Sequence, residues 1–268
     1  MSSHFDNYMK YQFLDACWNT ENGIVTVTLK RPPVNSITSE FLKELSALLN
    51  ELERDEAQGL ILTSEYNGVF SAGIDFKELY QPVVSDAKEF MTLFKSFTFS
   101  LTCTAFPTVA VINGHTPGAG AVIPLCCEYR IMLDNFTIGL NELRLGLQMP
   151  DWLSSSMTHI IGKRNAEKAI LRGTLFSSED ALKIGLIDEI ASTKADAMEK
   201  ASEFLNSAKI LNRTIRLDTK LHIRKSIIQD FEKDTDKEIN RAVSFLMSAD
   251  MQQTIGNRIK ALKEKRQK

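Results

Sequence analysis

The sequence predicts an α/β protein in which a largely parallel, helix-covered sheet is followed by a mainly helical region. Up to residue 150, short apolar strand patterns alternate with helical patterns, an order that gives parallel strands joined by crossover helices. From residue 151 onward helical patterns dominate and few strand patterns remain. No linker rich in Pro, Gly or Ser separates residues 1–150 from residues 151–268, so we expect one continuous fold.

The composition is that of a globular protein. The chain has 268 residues, of which 43% are hydrophobic and 25% are charged, and single α/β domains of about 250 residues are common. Its 32 Lys and Arg against 34 Asp and Glu give a formal charge of -2, which disfavours nucleic acid or an anionic membrane as a general partner. Because the cysteines lack zinc-ligand spacing, we expect neither a metal site nor a disulfide framework. The cysteines are Cys17, Cys103, Cys126 and Cys127.

The predicted sheet rests on four strand patterns and on a helix between the first two. Residues 41–52 repeat Phe and Leu at helical spacing, and Thr38 or Ser39 is expected to cap that helix. A further short strand is predicted at residues 186–190. The four strands are predicted at residues 23–30, 60–63, 108–113 and 129–133.

The region after residue 150 is predicted as a series of helices. They lie at residues 152–162, 164–173, 177–185, 193–208, 213–232 and 236–266. The last twelve residues, 257–268, hold six Lys or Arg against one Glu. Two interpretations of this basic run stay open: a solvated helix end, or a contact with a phosphate-bearing ligand or a neighbouring subunit.

Neither a membrane span nor a targeting signal is predicted. The most apolar stretch, residues 108–127, is interrupted by Asn113, two prolines and three glycines, so it does not fit a transmembrane helix. Residues 1–10 lack the apolar region of a signal peptide and include Asp6. The peroxisomal S-K-L ending is also not found.

Two glycine loops, residues 69–79 and 112–130, each follow a strand and lead toward a helix. Glycines there let backbone N–H groups approach a ligand, and a helix N-terminus adds partial positive charge. Neither loop has the Walker A or full G-x-G-x-x-G pattern, and the chain lacks the G-x-S-x-G and H-E-x-x-H motifs of hydrolases. Each loop alone also fits a plain tight turn. Together they could supply the two N–H donors of an oxyanion hole.

A carbonyl oxygen held by two N–H groups makes the adjacent carbon acidic, and the reaction then needs a base. Glu142 is the only acid between residues 136 and 150 and has apolar neighbours, so burial would raise its pKa toward neutrality. A solvated glutamate is the alternative. The histidines are weaker candidates, because they lie in a loop, at the N-terminus, or on amphipathic and charged segments. They are His115, His4, His159 and His222.

Five motifs, taken together, resemble the enoyl-CoA hydratase/isomerase (crotonase) superfamily in order and spacing. The motifs are KRPPVNSIT at 30–38, VFSAGIDFKEL at 69–79, AVINGHTPGAGAVIPLCCEYRIM at 110–132, IGLNELRLGL at 138–147 and AEKAILRGTLFSSEDALKIGLIDEI at 166–190. The resemblance extends over roughly residues 12–260. It implies a crotonase-like spiral of ββα units carrying the active site within residues 1–150, and a helical region at 151–268 for trimer assembly and completion of the site.

The resemblance also implies an acyl-CoA substrate with its thioester oxygen in an oxyanion hole. Its donors would be the backbone N–H groups of Ile74 and of Ala119, where the family usually has Gly. Gly118 and Gly120 would then have to provide the tight turn. By the same carry-over, the substrate-binding residues are Gly73, Ile74, Asp75, Phe76, Lys77, Ala119 and Asn141, and the catalytic ones are Glu142, Ile74 and Ala119.

Hydratases of the superfamily use two glutamates, and this chain matches only one of them. Val122 occupies the first position and Glu142 the second. One carboxylate suffices for a proton shift between C2 and C4, so the resemblance implies a Δ3,Δ2-enoyl-CoA isomerase acting in β-oxidation of unsaturated fatty acids. An enoyl-CoA hydratase, a dienoyl-CoA isomerase and a non-catalytic acyl-CoA-binding protein remain alternatives.

Further expectations concern the acyl chain, the assembly and the compartment. Phe90, Phe94 and Phe97 recur at helical spacing, which fits a core face or the lining of an acyl tunnel. The resemblance implies a homotrimer or a dimer of trimers. It implies no cofactor beyond the CoA of the substrate, and it favours the mitochondrial matrix, with cytosol and peroxisome as alternatives.

Overall fold

The fold is built around a six-stranded, mostly parallel sheet, seen in a computed structural model that describes residues 11–209, 211–233 and 235–266. The strand order is β1-β2-β3-β5-β7-β10, with β1 antiparallel to β2 and the other neighbours parallel. The strands are β1 Leu14–Trp18, β2 Ile24–Leu29, β3 Gly59–Ser64, β5 Thr108–Ile112, β7 Tyr129–Leu133 and β10 Glu189–Ala191. This confirms the predicted parallel sheet. His4 and the last two residues of the basic run lie outside the described part.

A second, smaller sheet has the order β4-β6-β8-β9. Its strands are β4 Gly68–Val69, β6 Gly114–Pro117, β8 Thr137–Gly139 and β9 Phe176–Ser177. Each of the first three follows a main-sheet strand within a few residues and leads toward helices, which produces the expected spiral of ββα turns. The sequence analysis missed these strands because two to four residues are too few for an alternating pattern.

Helices cover the sheets and make up most of the chain after residue 150. They are α1 Ser39–Arg54, α2 Phe76–Leu79, α3 Val84–Thr102, α4 Val122–Cys126, α5 Glu142–Leu145, α6 Asp151–Arg172, α7 Ser178–Lys183, α8 Lys194–Lys209, α9 Arg213–Ile223, α10 Lys225–Glu232, α11 Thr235–Leu246 and α12 Ala249–Arg266. Thr38 caps α1, since its hydroxyl accepts a hydrogen bond from the N–H of Phe41 at 3.3 Å. Among the residues that the structure describes, no helix is long and apolar enough to cross a membrane.

The helical region also contributes to both sheets. Strand β10 pairs with β7, and β9 pairs with β8, so both sheets include strands from either side of residue 150. The division of the chain at that residue stays a prediction. Helix α6 is kinked at Gly162, where the backbone leaves the helical region, which explains why the sequence pattern suggested two helices there.

The core lies between the main sheet and helices α1, α3 and α4. The inward face of α1 carries the predicted apolar stripe, all of it buried: Phe41, Leu42, Leu45, Leu48, Leu49 and Leu52. Phe90, Phe94 and Phe97 are also buried within α3. Packing on both sides of the sheet fixes where the successive strands β3 and β4, and likewise β5 and β6, end. The two glycine loops follow β4 and β6.

Candidate active site

The first glycine loop runs from β4 to α2. At Gly73 the backbone has a φ of +84°, which glycine adopts without strain. Gly73 O accepts a hydrogen bond from Ile37 N at 2.8 Å, and Asp75 N donates to Ile37 O at 3.0 Å. These two hydrogen bonds form a short parallel bridge between Ile37 and Ile74. Because successive N–H groups of an extended chain point to opposite sides, the N–H of Ile74 faces away from Ile37. Among the described residues it has no acceptor.

The second glycine loop continues from β6 into a 3-10 helix, Gly118–Ala121, before α4 begins. The left-handed turn falls on Gly118, with a φ of +58°, whereas Ala119 has no positive φ. An alanine is therefore tolerated at position 119. Its N–H belongs to the first turn of the helix, where backbone donors have no partner within the helix.

The two loops touch each other because glycines stand at the point of contact. A Cβ atom added at Gly120 would lie 2.4 Å from Ser71 O and 3.0 Å from Gly73 N. One added at Gly73 would lie 3.5 Å from Ala119 N. Gly120 therefore allows the two loops to approach closely and does not form a left-handed turn. From the sequence, Gly118 and Gly120 are expected to share the role of the tight turn. This contact brings together the two loop segments that carry the N–H groups of Ile74 and Ala119.

Glu142 is the first residue of α5 and lies against the second glycine loop. A Cβ atom added at Gly118 would lie 3.4 Å from Glu142 Oε1 and 3.1 Å from Asn141 Oδ1. Glu142 is only 7% exposed, and burial raises the pKa of its carboxyl to about 7. Neither of its carboxyl oxygens, nor Asn141 Oδ1, has a hydrogen-bond partner in the described part of the chain. Of the two alternatives that the sequence left open, a buried and a solvated glutamate, the structure shows the buried one.

A mostly apolar cleft adjoins Glu142 and Ile74. Its remaining apolar lining comes from α2, α3, the segment after α5, α6, α11 and α12: Leu79, Met91, Phe94, Leu147, Met149, Pro150, Leu153, Ala242, Phe245, Leu246 and Met251. Phe94 lines this cleft, whereas Phe90 and Phe97 belong to the core. The cleft can hold an apolar chain whose reactive end lies beside Glu142.

The structure places the other predicted residues around this centre. Asp75 caps α2, accepting from Lys77 N at 3.1 Å, and lies 3.6 Å from the Arg31 guanidinium. Lys77 is exposed, Phe76 is partly buried against the core, and Val122 is fully buried. Asp75, Phe76 and Lys77 are thus at least partly exposed at the end of the first glycine loop, whereas Val122 belongs to the core.

None of the three described histidines lines the cleft. His115 is exposed, and its Nδ1 lies 3.0 Å from Thr137 Oγ1. His159 borders a different, polar cavity, and His222 is exposed on α9. No group of three His, Cys, Asp or Glu suited to a metal ion occurs within residues 11–209, 211–233 and 235–266.

The family resemblance implied that residues 151–268 complete the site, but the residues of α11 and α12 that line the cleft were not predicted. Glu238, Arg241 and Phe245 of α11 line the cleft together with Met251 of α12. Their spacing is that of an ordinary amphipathic helix, and no local signal marks them as lining residues. Only the packing of α11 against α3 brings them to a cleft whose reactive groups lie about a hundred residues earlier in the chain.

Comparisons with known proteins agree with this geometry. Residues 19–268 match the family model described as enoyl-CoA hydratase/isomerase. The mitochondrial enoyl-CoA delta isomerase 1 of Rattus norvegicus is 36% identical over 249 residues, covering 92% of this chain and 86% of that protein. Its Homo sapiens counterpart is 33% identical over 247 residues, covering 91% and 82%.

Solved structures show the same relationship. The crystal structure of human mitochondrial delta3-delta2-enoyl-CoA isomerase has a TM-score of 0.91 at 32% identity, covering 95% of this chain and 99% of that chain. An enoyl-CoA hydratase from Bacillus halodurans, at 21% identity and a TM-score of 0.80, covers 92% and 100% and shares the fold. With its ββα spiral, its paired glycine loops and a family match over nearly its whole length, this chain belongs to the enoyl-CoA hydratase/isomerase family.

Proposed function

We propose that this protein is a Δ3,Δ2-enoyl-CoA isomerase that moves a double bond from C3 to C2 of an unsaturated acyl-CoA. The observation that carries the proposal is Glu142, a buried carboxyl that lines an apolar cleft, with a pKa of about 7 and no hydrogen-bond partner among the described residues. The names of the relatives at 33% and 36% identity support it.

In the proposed mechanism, the substrate thioester oxygen accepts hydrogen bonds from the N–H groups of Ile74 and Ala119. These donors stabilise negative charge on that oxygen once a proton leaves C2. Both N–H groups belong to loops held in contact at Gly73 and Gly120. The donors are therefore positioned before substrate binds, which limits the reorganisation that the reaction requires.

Glu142 acts as the base and then as the acid. Its carboxylate removes a proton from C2 of the 3-enoyl thioester, and the C–H electron pair passes into a dienolate whose charge lies on the thioester oxygen. The protonated Glu142 then returns the proton to C4, and the dienolate electrons form the C2–C3 double bond and restore the carbonyl. A pKa of about 7 suits both steps, since neither protonation state is strongly disfavoured near neutral pH.

The arrangement favours isomerisation over hydration. Adding water requires a second group to position and activate it, and Val122 stands, fully buried, where the hydratases have that glutamate. Two other acids line the cleft. Asp151 is exposed, and the Glu238 carboxylate lies 2.7 Å from Lys95 Nζ. We therefore place hydratase and dienoyl-CoA isomerase activities second.

The same proposal covers the CoA moiety, the assembly and the compartment. Residues 73–77 and Asn141 would contact the substrate near the thioester and the CoA, and the reaction would need no cofactor beyond that CoA. We propose a homotrimer or a dimer of trimers, built through residues 151–268. We also propose a mitochondrial location, in line with the word mitochondrial in the names of the relatives. A role in β-oxidation of unsaturated fatty acids, in the matrix, is proposed from the family resemblance alone.

The substitution Glu142→Gln tests the mechanism. It keeps the shape of the side chain but removes the base, so kcat for conversion of 3-hexenoyl-CoA to 2-hexenoyl-CoA should fall by at least about 10³-fold. Binding of a saturated acyl-CoA, measured by calorimetry, should change by less than about threefold. Glu179→Gln, on exposed α7, is the matched control and should retain full activity.

The same assay discriminates among the alternatives. Retention of most activity by Glu142→Gln would remove Glu142 from its proposed role. Conversion of 2-hexenoyl-CoA to the 3-hydroxy product, without isomerase activity, would identify a hydratase. Tight binding of acyl-CoA by the wild-type protein without turnover of either ester would identify a non-catalytic binding protein.

A further inference from the structure

Glu238, which lines the apolar cleft, forms a largely buried ion pair with Lys95, a residue that does not itself line that cleft. Lys95 Nζ of α3 lies 2.7 Å from Glu238 Oε2 of α11, and the two side chains are only 5% and 14% exposed. Lys95 Nζ also donates to Thr235 Oγ1 at 3.2 Å. Glu238 Oε1 accepts from Trp152 N at 3.3 Å, at the start of α6. The pair therefore joins three helices where α3, α6 and α11 meet.

Glu238 has a place in the cleft different from that of Glu142. Glu142 lies beside Gly118 at the end where the glycine loops close the cleft. Several residues between Glu142 and Asp151 line the cleft, and this segment leads to the start of α6. There, Glu238 accepts a hydrogen bond from Trp152 N. An acyl chain whose thioester lies in the glycine loops must extend away from them, toward α3, α6 and α11.

The chemistry of the wall changes at the ion pair. Most of the cleft between the two glutamates is apolar, and each methylene group buried there should tighten binding roughly fourfold. Glu238, together with Asp151 and Arg241, also borders a second cleft, whose lining is charged or polar and includes Asp230, Lys233 and Lys237. A methylene that reaches the pair gains no apolar contact, and moving the pair aside would leave a buried charge without its partner.

We propose that the Lys95–Glu238 ion pair terminates the acyl cleft and sets the upper limit of acyl-chain length. This inference rests on the proposed function, since it assumes that the cleft holds the acyl chain of a CoA thioester. The pair is a specificity-determining element rather than part of the proton transfer. Its fixed contacts to Thr235 and Trp152 hold it in place against a longer chain.

The test compares kcat/KM along a series of 3-enoyl-CoA esters from six to sixteen carbons. In the wild type, kcat/KM should rise roughly fourfold per methylene and then stop rising at one chain length. In the double variant Lys95→Met with Glu238→Leu, which replaces the pair by apolar groups of similar size, the break should move to longer chains. The ratio of kcat/KM for the longest ester to that for the shortest should increase at least tenfold.

A matched control and a second measurement keep the test decisive. Lys43→Met with Glu89→Leu removes an exposed pair of the same residue types, 2.7 Å apart, between α1 and α3, and should leave the wild-type profile unchanged. Binding of saturated acyl-CoA esters to the wild-type protein, measured by calorimetry, should show the same break without any substitution.

The outcomes separate this inference from the proposed function. A folded double variant with the wild-type length profile would overturn the inference, and so would wild-type affinity that rises steadily through sixteen carbons. If the wild type isomerises none of the esters, the proposed function fails. The calorimetric series then still decides whether the cleft ends at the ion pair.

Discussion

Glu142 occupies a position that costs the folded chain stability. A carboxylate that is 7% exposed and has no hydrogen-bond partner among the described residues is unfavourable in its charged form, and burial raises its pKa to about 7. A residue selected for stability alone would be apolar or paired here. The cost is consistent with a catalytic role, because the same desolvation makes the carboxylate a stronger base.

The pH dependence of stability should reveal this cost. Since the pKa of Glu142 is raised from 4.5 to about 7 on folding, the folded state binds more protons than the unfolded state between those values. Its contribution to the free energy of unfolding is therefore favourable below about pH 4.5 and is lost as pH rises to about 7. At pH 8, Glu142→Gln should be more stable than the wild type by up to about 3 kcal/mol.

Urea denaturation at pH 5 and pH 8 measures this difference. The gain from Glu142→Gln should be clearly smaller at pH 5, where the wild-type carboxyl is mostly protonated. The exposed control Glu179→Gln should show no such pH-dependent gain. A variant that is less stable than the wild type at pH 8 would contradict the burial argument.

At the scale of elements, the site depends on two loops that touch without side chains between them. The first follows β4 and the second follows β6, and these short strands pair in parallel, Gly68 with Gly114 and Val69 with His115. That pairing sets the two loops side by side. Gly120 then allows backbone contact with Ser71 and Gly73, a contact that any side chain at position 120 would prevent.

The substitution Gly120→Ala should therefore damage activity more than stability alone explains. Its Cβ atom would lie 2.4 Å from Ser71 O, which forces the loops apart and moves the N–H groups of Ile74 and Ala119. We expect kcat to fall by at least about 10²-fold, comparable to losing one oxyanion donor. Steady-state kinetics with 3-hexenoyl-CoA, alongside thermal unfolding, measures both effects.

Gly185→Ala is the control for backbone strain. Unlike Gly120, Gly185 has a positive φ, +75°, and a Cβ atom there would have no neighbour within 4 Å. This variant should lose about 1 kcal/mol of stability while keeping its kcat. If Gly120→Ala retained kcat as well, the loops would not position the donors.

Across the whole molecule, buried charges attach the C-terminal helices to the sheet. Lys220 of α9 lies 2.8 Å from Glu128 Oε1 and donates to Thr104 O at 2.7 Å, and Arg216 also contacts Glu128. Burial raises the pKa of Glu128, but Lys220 and Arg216 lower it further, so the net pKa lies below the ordinary value. Arg224 donates to Thr102 O at 2.6 Å. Helix α9 is thus tied to the segments next to β5 and β7.

Removing one of these charges should destabilise the molecule as a unit. Lys220→Met leaves Glu128 buried with Arg216 as its remaining partner, and we expect a loss of about 3 kcal/mol. Because α9 is tied through Lys220 to Glu128 and Thr104, next to β7 and β5, circular dichroism and tryptophan fluorescence should report one coincident transition at a lower urea midpoint. Lys225→Met, on an exposed position, should change the midpoint little. Two separate transitions would show that the helical region unfolds on its own.

The architecture could be predicted from sequence wherever a regular pattern was long enough. The strands β2, β3, β5 and β7 and the helix α1 follow from apolar periodicity, because each buries a continuous face. The second sheet could not be predicted. Its strands β4, β6, β8 and β9 are held by pairing with strands distant in sequence, and two to four residues carry no period.

The site divides in the same way. By itself the sequence determined which chemical groups are present: a lone acid among apolar neighbours at Glu142, valine at position 122, and glycines at the two strand ends. Only the tertiary structure decided that Glu142 is buried without a hydrogen-bond partner among the described residues, and that Gly73 and Gly120 meet. It also decided that Glu238 of α11, paired with Lys95 of α3, lines the same cleft. Local residues set local chemistry, whereas desolvation and contact between distant segments arise from packing.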